Sequence, residues 1–73
     1  MTSFEKNLTT TINATMKAAE FYLNNPIVPE HMHHYISGQL KTLDNLLILT
    51  KGMDEEHERL KAFIKDWEKL EYA

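Results

Sequence analysis

No cysteine occurs in the 73 residues, and glycine and proline occur only twice each. Without thiols the chain has no disulfide and no thiolate metal site, so the usual staples of a very small domain are missing and self-association becomes the leading substitute. Glycine is too sparse for a phosphate-cradling loop or an oxyanion turn. There is no long apolar run either. The longest is "LLIL" at 46–49, far short of the roughly 20 residues a membrane-spanning helix needs, and "MTSFEKN" lacks the basic start and apolar stretch of an export signal. A surplus of positive charge is also absent: the net charge is −3, which disfavours attraction to nucleic acid or anionic lipid. These absences point to a cytoplasmic chain that neither spans a membrane nor binds nucleic acid.

What the sequence does have is an apolar content of 42% with 26% charged residues, the balance of a globular domain. The apolar residues recur with helical spacing in three segments. Thr2 or Ser3 opens the first, with Glu5 at capping-box spacing from Thr2. Its stripe is Phe4, Leu8, Ile12, Met16, Ala19 and Leu23, and Asn24-Asn25-Pro26 closes it. Pro29 opens the second segment, the most apolar of the three, with a stripe of Met32, Ile36, Leu40, Leu43 and Leu47 and a stop at Gly52. Asp54 is expected to cap the third segment, whose first turn carries Glu55 and Glu56 against the positive helix end. Its stripe is Met53, Leu60, Phe63, Ile64, Trp67 and Leu70. The opposite face alternates charge, pairing Glu55 with Arg59 and Glu58 with Lys61.

The expected fold is therefore all-α, a single domain over 1–73 with helices at about 3–24, 29–51 and 54–71. Short connections make three antiparallel helices the natural arrangement, as a helical hairpin plus a third helix or a small three-helix bundle, and the fold is expected to self-associate.

"PEHMHHYISG" at 29–38 is the densest cluster of chemistry-bearing side chains. At about 100° per residue, His31 and His34 share a side of the helix while His33 points away from both. A structural zinc site takes four ligands and a catalytic one three, so His31 and His34 alone are an incomplete candidate metal pair. The missing partners would be Glu68 and Glu71 if the second and third helices pack side by side. Two Glu-x-x-His-like spacings, Glu30 to His33 and Asp54 to His57, match the elements of di-iron bundles, but both open their helices and would lie at opposite ends of the bundle. Ser37 follows His33 by one helical turn, yet no acid is fixed to orient the histidine. No enzyme and no cofactor are expected.

Residues that depart from the stripes are more informative. Leu49 and Ile48 lie off the main stripe of the second helix, and Leu49 shares a second face with Gly38, Thr42 and Asn45. Phe21 departs from the first stripe. A glycine inside a helix costs about 1 kcal/mol relative to alanine, so Gly38 suggests close approach of another backbone. With Tyr22, Tyr35, Phe63 and Trp67 as candidate aromatic anchors, these residues point to a non-catalytic protein-protein interaction module. The expected protein is a small homo-oligomer, a dimer first, acting as an adaptor, regulator or inhibitor of another protein, of the kind found among bacterial or phage accessory proteins. A histidine-dependent metal- or pH-responsive protein is the alternative. A helix-turn-helix nucleic-acid binder is the third reading, weakened because its recognition helix would begin "DEEHE".

Overall fold

A computed structural model describes residues 2–24 and 28–70. They form three α-helices, α1 (Ser3–Leu23), α2 (Glu30–Ile48) and α3 (Asp54–Glu68). The body measures 39 × 18 × 17 Å, the proportions of helices laid side by side.

Each helix starts where its local chemistry can satisfy the first amides. At α1 the capping box is complete: the Glu5 amide donates to Thr2 Oγ1 at 3.1 Å and the Thr2 amide donates to Glu5 Oε1 at 3.0 Å. Two otherwise unpaired donors are thereby satisfied. Hydrogen bonds from the Thr2 amide and then the Thr2 hydroxyl hold the Glu5 carboxyl below its ordinary value. Pro29, which has no amide to lose, stands just outside α2 as its cap, and its carbonyl accepts the His33 amide at 3.0 Å. Asp54 is the first residue of α3 rather than its cap, which is Met53. The reason is that Gly52, at φ 88°, turns the chain inward and commits the Met53 side chain to the core. Asp54, Glu55 and Glu56 then all occupy the first turn, where the helix dipole favours them.

The helix ends come earlier than the periodicity implies. Past Ile48 the Thr50 amide bonds to the Leu47 carbonyl at 3.1 Å, and past Glu68 the Leu70 amide bonds to Trp67 at 3.1 Å. These tightened three-residue closures satisfy carbonyls that a continuing helix would use.

The core is made by one stripe from each helix: Leu8, Ile12 and Ala19; Ile36, Leu40, Leu43 and Leu47; Leu60, Phe63 and Trp67, with Met53 and Val28 added from the connections. Full burial of one such aliphatic side chain stabilises the fold by about 1.5–3 kcal/mol. Phe4, placed on the α1 stripe by its spacing, is 56% exposed, because the stripe runs past the end of what packs against it. Helix α2 packs against both neighbours. Two polar contacts order α2 against α3: His57 meets Asp44 and Trp67 meets Ser37, so later residues of α3 face earlier residues of α2.

Candidate functional site

Two surfaces flank α2, and they differ in chemistry. The first is a cleft of about 340 Å³ between α2 and α3, lined by His33, His34, Ser37, Leu40, Lys41, Ile64, Trp67 and Glu68. Trp67 is its floor. The His33 ring stacks on the indole at 5.2 Å and 14°, and Trp67 Nε1 donates to Ser37 Oγ at 2.9 Å. The Ser37 hydroxyl is thus engaged with the indole, a structural partner rather than a substrate.

The spacing argument expects the histidine stretch to meet Glu68 and Glu71. Glu68 does line the cleft with His33 and His34, Glu71 lies outside the described residues, and His31 is not among the lining side chains. His34 Nε2 sits 3.5 Å from Glu30 Oε1, one turn back on its own helix. Among the described residues no group of three or more His, Cys, Asp or Glu side chains is placed to hold a metal ion. Among the described residues, then, His31 and His34 are not joined by the further ligands that a zinc site requires.

The second surface is a shallow groove between α1 and α2, lined by Thr11, Thr15, Tyr35, Gly38, Gln39, Thr42, Leu43 and Leu46. It bears no Asp, Glu, Lys or Arg. Its polar groups are largely satisfied from within: Thr11 Oγ1 donates to the Asn7 carbonyl at 2.8 Å, Thr42 Oγ1 to the Gly38 carbonyl at 2.9 Å, and Gln39 Nε2 to the Tyr35 hydroxyl at 3.4 Å. Threonines bonded back to their own helix in this way leave a face with little need of water. At the groove stand Tyr35, 61% exposed, and, just past the end of α2, Leu49, 82% exposed.

The expected interface residues fall into two groups. Tyr35, Gly38, Leu49 and Phe21 are on the surface, with Phe21 set edge-on to the half-buried Tyr22 at 5.3 Å. Phe63 and Trp67 are in the core, Trp67 at 1% exposure, and within this fold they are not available to a partner; helical spacing marks an apolar side chain as destined for burial but does not say by which neighbour. Gly38 has nothing within 4 Å of the position a Cβ would take, and its φ is not positive. No packing within the described chain requires glycine there.

One element was missed by sequence reasoning. His57 Nε2 donates to Asp44 Oδ1 at 2.8 Å, with the two side chains only 16% and 27% exposed. It ties the start of α3 to the far half of α2, and nothing local in the sequence marks two residues so far apart as partners. Arg59 Nη2 likewise crosses to Asn13 Oδ1 of α1 at 2.6 Å. No helix of the described residues is long and apolar enough to cross a membrane. Set beside family models, curated proteins and solved structures, the chain matches none of them.

Proposed function

We propose that the protein works by binding rather than by catalysis, as a small helical interaction module that self-associates and acts on another protein as an adaptor, regulator or inhibitor. The observation that carries this reading is the uncharged groove between α1 and α2, with Tyr35 and Leu49 exposed at it. Three of the 19 residues of α2 are Asp, Glu, Lys or Arg, against nine of 15 in α3. Depletion of charge with exposed aromatic and aliphatic side chains is the composition of an interface centre, and a domain this small gains disproportionately from covering such a face.

Light scattering of the whole chain across a dilution series tests the reading, alongside Leu49→Lys. A mass that is a multiple of 8.6 kDa is expected, with Leu49→Lys shifting dissociation to at least tenfold higher concentration at unchanged helicity. A single-chain mass at every concentration, the same for both proteins, removes self-association from the proposal. Repeating the series with zinc and at pH 6 and 8 addresses the histidine reading, which the shared lining of His33, His34 and Glu68 supports. Assembly seen only with zinc would move the function to the α2–α3 cleft.

A further inference from the structure

We draw no further inference here: the strongest candidate, the uncharged groove between α1 and α2 with Tyr35 exposed along it, is the surface on which the binding reading already rests, and nothing in the structure shows what covers it.

Discussion

The side of α2 that borders α1 and the outward surface of α3 both face solvent, yet they differ sharply in charge. On α3 the charged residues stand in the open, with Lys61 Nζ 4.0 Å from Glu58 Oε1 at the surface. On the side of α2 that borders α1 the exposed residues are Tyr35, Gly38, Gln39, Thr42 and Leu46, with Leu49 just past the helix end, and the side chains of Gln39 and Thr42 bond within the chain, while Glu30, His34 and Lys41 are exposed elsewhere on the helix. The inner faces, by contrast, are alike: both contribute large apolar side chains to one core. The difference teaches that helix formation and core packing do not account for the outer composition of α2, whereas a solvated helix needs only what α3 has.

The largest change expected on breaking this comparison comes from the inner side. Trp67→Ala removes the indole that fills the core, stacks on His33 and donates to Ser37; a loss of about 3–5 kcal/mol in urea-unfolding stability is expected. A loss under about 1 kcal/mol would mean that the α2–α3 interface is not the one described. His57→Ala deletes a half-buried donor and leaves the Asp44 carboxylate without it, which should cost about 1–3 kcal/mol by the same measurement. Gly38→Ala gives the smallest and most discriminating effect. In the isolated chain it should raise stability by roughly 0.5–1 kcal/mol, because alanine is the better helix former and the added methyl meets nothing. In a self-associated state that covers this face it should weaken association, since the added methyl stands on the covered surface. If the same substitution strengthens both folding and association, the outer faces of α2 and α3 differ in composition without differing in use.

Much of the fold was legible in the residue order. Leu8, Ile12, Ile36, Leu40, Leu43, Leu47 and Leu60 fall at helical spacing and are buried, because a stripe with the period of the helix has one way to leave water. The Thr2–Glu5 box and the Gly52 stop were legible for a similar reason: both act within a few residues. Phe4 and Val28 mark the limit. The first keeps the stripe's spacing but has too little packed against it, and the second lies in a connection, where periodicity has no meaning, yet is fully buried.

The candidate site was legible only in part. Gly38 and Leu49 broke a pattern and could be found; Trp67 and Phe63 looked like anchors of the same kind and are core. His33, which the helical wheel turns away from His31 and His34, is stacked on a side chain from another helix. By itself, then, the sequence determined three helices, their inner stripes and the cap of the first, since each depends on neighbours within a turn or two. Tertiary structure alone decided which aromatic residues were consumed by the core, that His57 would find Asp44, and that Gly38 and Thr42 of α2 would share a groove with Thr11 and Thr15 of α1. Those outcomes depend on how whole helices rotate and align against each other, a choice made by the summed packing of many side chains and written in no single stretch of the chain.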